Sequence, residues 1–264
     1  MTILDQIIAQ KKLELPNLLA TKPNFQTVLK TRPSLYESLK NANTLQVIAE
    51  MKRASPSKGD IATHIDPVMQ ALEYEQAGAT CISVLTEQAY FKGSYLDLNA
   101  VANTVNIPVL CKDFIIDPVQ IDYAKAAGAS VVLLIVAALT ADQLQSLYSY
   151  AKEKKLEVLV EVHDLEELQR AIAIGAKIVG VNNRNLKTFE VDLTKTAEIA
   201  QHLPSSPIAF ISESGIWNEE DAKFVANAGA NAVLVGESLM RSGDVKTSLQ
   251  NLQIDIMTKV GENL

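Results

Sequence analysis

The sequence predicts an α/β fold built from eight strand–helix units, and the first reason is a phrase that occurs four times. In each copy the end of a helix is followed by glycine and alanine and then by a run of mostly apolar residues, with the glycines at Gly78, Gly128, Gly175 and Gly229. Glycine readily takes the positive φ at which helices commonly end. A short apolar run after such a stop is typical of a buried parallel strand.

The spacing of this phrase is the second reason. The glycines are 50, 47 and 54 residues apart, whereas one strand–helix unit occupies about 30 residues or slightly fewer. One further strand is therefore expected in each interval. Apolar runs around Val47, Val109, Val158 and Ile208 complete a set of eight strands.

Amphipathic stretches between these strands predict the helices. They span residues 67–76, 118–126, 141–154, 165–173, 193–202 and 218–227. Asp66-Pro67 and Asp117-Pro118 have the pattern of a helix N-cap followed by proline at the first helical position. Near-continuous apolar strands covered by helices on both faces predict a (β/α)8 TIM barrel. A doubly wound parallel sheet is the alternative.

The first part of the chain stands outside these units. Residues 1–44 are predicted to be an N-terminal helical extension, because residues 3–15 and 33–40 have a helical pattern. We expect this extension to cap the barrel or to cover part of a site. The barrel then takes residues 45–264, and residues 1–264 are predicted to be a single domain, since α/β barrels reach about 250 residues as one unit.

Charge and hydropathy limit the partners of the protein. The formal net charge is -7 and the sequence pI is near 5.1, which argues against general nucleic-acid binding, since that needs a surplus of Lys and Arg. The longest apolar run, residues 131–139, has nine residues, well short of the roughly 18 to 20 of a membrane-spanning helix. The N-terminus has no secretory pattern. We predict a cytoplasmic protein that binds neither nucleic acid nor membrane, and the sequence is compatible with a monomer without fixing the oligomeric state.

The sequence carries no signal for a cofactor. Cys81 and Cys111 lie in apolar runs and lack the spacing of a zinc site or a disulfide framework, so we expect buried free thiols. No His, Cys and Asp cluster has metal-ligand spacing, and no GxGxxG follows a strand. Neither a metal nor an organic cofactor is predicted.

Polar residues converge where the barrel predicts an active site. Active sites of these barrels lie at the carboxyl ends of the strands, and the period of two along a strand identifies the inward positions. Five strand ends then contribute inward polar side chains, namely Glu50, Lys52, Lys112, Glu161, Asn182, Arg184 and Glu213. Each one alone could be the polar end of a strand leaving the core. Together they predict carboxylates and cations that shift one another's pKa, which acid–base chemistry uses.

Small residues after three strands predict an anion site. They are Ser55, Ser57 and Gly59 after the first strand, Ser212, Ser214 and Gly215 around the end of the seventh, and Gly236 and Ser238 after the eighth. Loops after the seventh and eighth strands that lead into a helix commonly bind phosphate in such barrels. Ordinary turns are the alternative, but the location favours a phosphate-bearing ligand.

The strings at residues 49–61, 85–98, 110–121, 159–168, 179–193, 212–216 and 234–241 resemble the indole-3-glycerol phosphate synthase family of tryptophan biosynthesis. The resemblance covers nearly the whole chain. It implies a decarboxylating and dehydrating ring closure of 1-(2-carboxyphenylamino)-1-deoxyribulose 5-phosphate to indole-3-glycerol phosphate, CO2 and water. A phosphosugar isomerase or aldolase on the same fold is a second hypothesis, and a non-catalytic barrel is a third.

The resemblance also implies catalytic roles. Lys112 matches the general acid at the ketone oxygen, and Lys52 matches the partner of the substrate carboxylate. Glu161 and Lys52 match the acid and base that remove the new hydroxyl, with their division of labour left open. Glu50 should orient and tune the lysines. The ring, the carboxylate and the sugar hydroxyls should be positioned by Asn182, Arg184, Glu213 and Ser214.

Binding residues follow from the same resemblance. Phosphate is expected at Ser55, Gly215, Gly236 and Glu237, and the apolar walls are expected from Pro56, Phe91, Phe114, Leu133, Leu159 and Leu186. Because a carboxylate cannot donate to a phosphate dianion, either the Glu237 side chain turns away and leaves its backbone N–H, or phosphate binding is weakened. His163 and Trp217 are expected to be structural, and whether the region of Phe25 covers the substrate ring stays open.

Overall fold

Eight parallel strands close into a barrel in the computed structural model, which describes residues 2–56, 59–60 and 65–256. Each strand pairs with its neighbours in chain order, and the last pairs with the first, with Gln46 opposite Ala232. This topology confirms the (β/α)8 barrel and excludes the doubly wound sheet. The strands are β1 Gln46–Met51, β2 Cys81–Leu85, β3 Val109–Lys112, β4 Val131–Ile135, β5 Glu157–Val162, β6 Ile178–Asn182, β7 Ala209–Glu213 and β8 Ala232–Val235.

Helices connect the strands and cover the barrel. They are α1 Ile3–Ala20, α2 Leu35–Lys40, α3 Pro67–Ala77, α4 Tyr95–Thr104, α5 Pro118–Ala126, α6 Ala141–Glu153, α7 Leu165–Ala173, α8 Thr194–Ala200, α9 Glu219–Asn227, α10 Glu237–Met240 and α11 Val245–Gln250. The six helices predicted between the strands are confirmed, whereas α4, α10 and α11 were not among them. No helix within the described residues is long and apolar enough to cross a lipid bilayer.

Local sequence explains where these helices begin and end. The side chain of Asp66 accepts the backbone N–H groups of Val68 and Met69 at the start of α3, as the Asp-Pro pattern predicts. The helix ends at Gly78, whose φ is 100°, and the glycines of the other three repeats also have positive φ. Ser57, one of the small residues noted above, lies outside the described residues.

The strands separate two apolar layers. Alternate residues such as Ile48, Leu110 and Ile211 fill the barrel interior, and their neighbours pack against the surrounding helices. Cys81 lies in the inner layer and Cys111 in the outer one, and both are buried free thiols, as predicted. The inward side chains near the carboxyl ends of the strands therefore project above an apolar plug.

The N-terminal extension reaches both ends of the barrel. At the carboxyl end of the strands, Lys11 on α1 forms a buried ion pair of 2.8 Å with Asp113, the residue after β3. At the opposite end, Leu35 and Leu39 on α2 are fully buried in the inner layer. The extension therefore both closes the barrel bottom and covers part of its mouth.

A carboxylate fixes α2 at the bottom of the barrel. Glu157, the first residue of β5, accepts hydrogen bonds from the Ser34 hydroxyl at 2.7 Å and from the backbone N–H groups of Leu35 and Tyr36 at 2.7 and 3.0 Å. These N–H groups belong to the first turn of the helix, where no intrahelical acceptor is present. Phe25, between the two helices, packs against Tyr95 and Tyr123 on the outer layer, and it does not line the mouth.

Candidate active site

A cavity opens at the carboxyl ends of the strands, and the predicted polar residues line it. Glu50 and Lys52 come from β1 and its end, Lys112 from β3, Glu161 from β5, Asn182 and Arg184 from β6 and the loop after it, and Glu213 from β7. The period-two prediction of inward positions is confirmed for all of them. Side chains far apart in the sequence thus meet over the apolar plug of the barrel.

Lys112 is the centre of this cluster. Its Nζ lies 3.3 Å from Glu213 Oε2, 3.5 Å from Glu50 Oε2 and 3.8 Å from Glu161 Oε2. Burial favours the neutral amine, but the three carboxylates outweigh it and raise the pKa of Lys112 above its usual value. The side chain therefore stays an ammonium through the neutral range and can still reach the cavity.

Glu50 is a fixed negative charge beneath the two lysines. Its Oε1 lies 2.9 Å from Lys52 Nζ, and its Oε2 accepts a hydrogen bond of 3.2 Å from the Ser83 hydroxyl. Burial would raise the pKa of this carboxyl, but Lys52 and Lys112 lower it to about 2. Glu50 thus holds both ammonium groups at the floor of the cavity.

Glu213 is buried like Glu50 but has the opposite pKa shift. Among the described residues neither of its carboxylate oxygens has a partner at hydrogen-bond geometry, and its ion pair with Lys112 is shared with two other carboxylates. Burial raises its pKa to about 7; Lys112 opposes the shift, and Glu161 and Glu50 add to it. Gly180 makes room for it, since a Cβ there would lie 2.1 Å from Glu213 Oε1.

Glu161 is held from two sides. Its Oε1 accepts a hydrogen bond of 3.1 Å from Asn182 Nδ2 and lies 3.4 Å from His163 Nε2. Asn182 in turn accepts the backbone N–H of Arg184 through its Oδ1. His163 was expected to be structural, and this contact was not predicted. The signal was available, because His163 lies two residues after Glu161 and its side chain therefore points to the same face.

Apolar side chains form one wall of the cavity. The rings of Phe91 and Phe114 lie 5.9 Å apart between centroids and are tilted by 32°, and further wall residues are Pro56, Leu133 and Leu186, as predicted. This wall suits a flat aromatic group.

Leu159 is the exception among the predicted wall residues. It is fully buried in the inner layer and does not line the cavity. It packs beside Gly180, where an added Cβ would lie 3.1 Å from Leu159 Cδ1 and 2.1 Å from Glu213 Oε1. Leu159 therefore lies in the barrel interior, and its role as a wall residue for the substrate stays a prediction.

The N-terminal extension and Trp217 add walls that the sequence analysis did not assign. Ile3, Leu4 and Ile7 of α1 line the cavity, and the spacing of Ile3, Ile7 and Lys11 on one helix face was the available signal. Trp217, expected to pack at a helix start, instead lies at the cavity with 52% of its surface exposed, because the residue precedes the cap of α9 and not its packed face.

Small residues form a further part of the cavity lining. Ser55, Ser214, Gly215, Gly236 and Glu237 all line it. Ser214 and Gly215 both have positive φ, of 67° and 88°. This tight turn after β7 places the chain beside the start of α10, in the position where the sequence predicts an anion.

The structure answers the question about Glu237. Its Oε1 accepts a hydrogen bond of 3.0 Å from Arg241 Nε one turn along α10. The side chain is therefore engaged along the helix, and the backbone N–H groups at Gly236 and Glu237 are the groups of this segment that suit an anion. The contact with Arg241 supports the first alternative, and phosphate binding at this segment stays a prediction.

The arrangement combines three chemical capacities. An ammonium among carboxylates can deliver and stabilise charge at a substrate oxygen, and Glu161 beside it can exchange a proton. The aromatic wall can hold a planar ring, and the small residues can hold an anionic group. A ligand that spans the cavity would have an aromatic end, a reactive middle and a phosphate end.

Comparisons with known proteins show the family of the chain. A model of the family described as indole-3-glycerol phosphate synthase matches residues 4–252. The indole-3-glycerol phosphate synthase of Oceanobacillus iheyensis is 49% identical over 259 residues, which cover 98% of this chain and 99% of the relative. That of Bacillus cereus is 50% identical over 255 residues, covering 97% and 99%.

A solved structure supports the fold alone. Thiamine phosphate pyrophosphorylase from Pyrococcus furiosus has a TM-score of 0.60 with 20% identity, over 79% of this chain and 93% of that one.

Proposed function

The chain belongs to the indole-3-glycerol phosphate synthase family, and we propose that the residues at the mouth of its barrel perform the family's ring closure. Membership makes it a decarboxylating carbon–carbon lyase of tryptophan biosynthesis that acts on a small-molecule substrate. It favours this activity over the isomerase and aldolase alternatives. The observation that carries the assignment of roles is the Lys112 ammonium held among three carboxylates.

The two sides of the cavity orient the substrate. The anthranilate ring of 1-(2-carboxyphenylamino)-1-deoxyribulose 5-phosphate lies against Phe91 and Phe114, and its phosphate binds Ser55 and the backbone N–H groups at Gly215, Gly236 and Glu237. This orientation is supported by Phe91, Phe114 and the small residues, all of which line the same cavity as Lys112. The substrate carboxylate meets Lys52, and Arg184 adds a second cation on that side.

Lys112 acts in the first bond-forming step. The ring carbon that bears the carboxylate attacks the ketone carbon, and the ketone oxygen gains the electron pair of the broken C=O π bond. Lys112 stabilises that oxygen and gives it a proton, which the raised pKa of the lysine supports because the group arrives charged. The carboxylate then leaves as CO2, and its bonding electrons return to the ring.

Dehydration completes the indole. The hydroxyl formed from the ketone leaves as water with a proton from an acid, while a base removes a proton from the substrate to form the ring double bond. Glu161 and Lys52 supply these two functions. Their positions support this, since Glu161 lies 3.8 Å from the Lys112 ammonium and Lys52 shares Glu50 with it. Asn182, Glu213 and Ser214 position the intermediate.

We also propose that one chain acts alone in the cytoplasm, without metal or organic cofactor. The support for a monomer is that eight strands of one chain bring together all of the proposed groups.

A direct assay tests the activity and the cofactor prediction together. Purified protein is mixed with the substrate and EDTA, and indole fluorescence is followed, with Lys112→Met as the blank. Fluorescence growth with the parent alone supports the assignment, and unchanged rates without EDTA support cofactor independence. A folded parent that gives no signal would contradict the proposed activity for this chain.

A further inference from the structure

His163 lies between two carboxylates at the edge of the site. Its Nε2 is 3.4 Å from Glu161 Oε1, and its Nδ1 is 3.0 Å from Glu167 Oε2. The side chain is only 11% exposed. Nothing in the proposed reaction uses this imidazole, although it touches the carboxylate that exchanges a proton with substrate.

The Glu167 contact assigns the proton on Nδ1. Glu167 lies in the first turn of α7, and its Oε2 also accepts the backbone N–H of His163 at 2.8 Å. A carboxylate oxygen only accepts, so the ring nitrogen that faces it donates. This network places one proton on Nδ1 and fixes the orientation of the ring.

The other ring nitrogen, Nε2, then faces a second hydrogen-bond acceptor. In the neutral tautomer Nε2 carries a lone pair, and it faces Glu161 Oε1, which also carries lone pairs. Nε2 is buried without a hydrogen-bond partner among the described residues. Two acceptors at 3.4 Å repel each other unless a proton lies between them. The contact is stable only when the His163–Glu161 pair holds one proton in addition to that on Nδ1.

We propose that His163 is a positioning residue for the reaction, an imidazolium that holds Glu161 Oε1 in place and leaves Oε2 facing Lys112 and the substrate. The inference rests on the proposed role of Glu161. Asn182 binds the same Oε1 from β6, so two donors aim one oxygen away from the cavity and the second oxygen toward it. Loss of the Nε2 proton makes the contact repulsive and releases the carboxylate.

The charges around the ring support the imidazolium. Burial opposes it, but the hydrogen bond to Glu167 and the charges of Glu161, Glu167 and Glu213 outweigh burial and raise the pKa of His163. Lys112 on β3 faces the far oxygen of Glu161. Because the pKa is raised, the imidazolium persists to a higher pH than that of an ordinary histidine and disappears as the pH rises through the shifted value.

Nitrogen-15 NMR of the imidazole rings tests the proton directly. The chain has three histidines, so histidine labelling gives three ring signals, and His163→Asn identifies the relevant one. We expect His163 to titrate above 6.5, the ordinary value for histidine, and Glu161→Gln to lower that midpoint because it removes a facing charge. A midpoint at or below 6.5, or one that Glu161→Gln leaves unchanged, would overturn the inference.

Kinetics test the consequence for Glu161. His163→Asn keeps a side-chain donor that does not titrate, and we expect kcat to fall roughly ten-fold, less than the roughly 10²-fold or more of a lost general acid or base, with KM changed less than about two-fold. The high-pH decline of kcat that reports His163 should disappear. His163→Gln provides a second variant, and His202→Asn is the matched control. Identical pH profiles of kcat for parent and both His163 variants would contradict the positioning role.

The two proposals fail separately. An active parent with an impaired Glu161→Gln variant keeps the proposed function whatever His163 does. An inactive parent would remove the proposed function, and the NMR titration would still decide whether the pair holds the proton.

Discussion

Glutamates at the two ends of the barrel differ in how well their carboxylates are hydrogen-bonded. At the bottom, Glu157 accepts three hydrogen bonds from α2 and the residue before it. At the mouth, Glu213 has no hydrogen bond to either carboxylate oxygen within the described part of the chain, and its pKa rises to about 7. Satisfied polar groups stabilise a fold, whereas incompletely satisfied buried charges have shifted pKa values that chemistry can use. The bottom therefore serves stability and the mouth serves reactivity.

The largest effect that would sharpen this contrast is expected from Lys112→Met. We expect the variant to fold and its turnover to fall at least about 10²-fold, because the general acid is lost. Steady-state kinetics and circular dichroism measure the two properties. A variant that keeps most of the parent's kcat would show that the acid lies elsewhere in the mouth.

Glu161→Gln is expected to have the next largest effect at the same end. The amide keeps the shape of the carboxylate but cannot accept a proton from substrate, so turnover should fall more than affinity for indole-3-glycerol phosphate. Steady-state kcat and product titration calorimetry compare the two. Equal losses in both quantities would indicate a binding role for Glu161 instead.

Glu157→Ala tests how much the hydrogen bonds at the bottom of the barrel contribute to stability. It leaves the Ser34 hydroxyl and two helix N–H groups without their acceptor, and we expect the free energy of unfolding to fall by about 2–3 kcal/mol. Turnover per folded molecule should stay unchanged. Denaturant unfolding measures the loss, and the exposed Glu166→Ala is the matched control. Loss of kcat without loss of stability would reverse the division between the two ends.

Glu213→Gln tests the smallest effect, a dependence of stability on pH. A carboxyl whose pKa is raised from 4.5 to about 7 on folding stabilises the fold below the unfolded value, and that contribution is lost as the pH rises through about 7. The glutamine stays neutral, so the stability of the variant relative to the parent should increase from pH 5 to pH 8 by on the order of 1–2 kcal/mol. A difference that is constant with pH would show that Glu213 does not titrate on folding in this range.

Much of the barrel and its mouth follows from local pattern. The glycine repeat predicts four strands and its spacing points to the other four, and the period of two predicts which polar side chains face inward. How deep a side chain lies in the barrel does not follow from local pattern. Leu159 has the predicted inward parity, yet it is fully buried in the inner layer, where it packs beside Gly180 of another strand.

Contacts between distant segments explain the other omissions. The pairing of Lys11 with Asp113 depends on where the extension docks, and no pattern within α1 specifies that. His163 shows a related limit. Its parity is visible in the sequence, but its contact with Glu167 depends on how α7 packs beside β5.

The extension also affects the order of events during synthesis. Leu35 and Tyr36 contact a glutamate that lies 122 and 121 residues further along the chain. Translation proceeds from the N-terminus, and contacts of such long sequence separation form slowly. When α2 leaves the ribosome, the strand that anchors it has not been made, so its two core leucines are exposed until more than half of the barrel has been translated. The bottom of the barrel is therefore sealed late in synthesis.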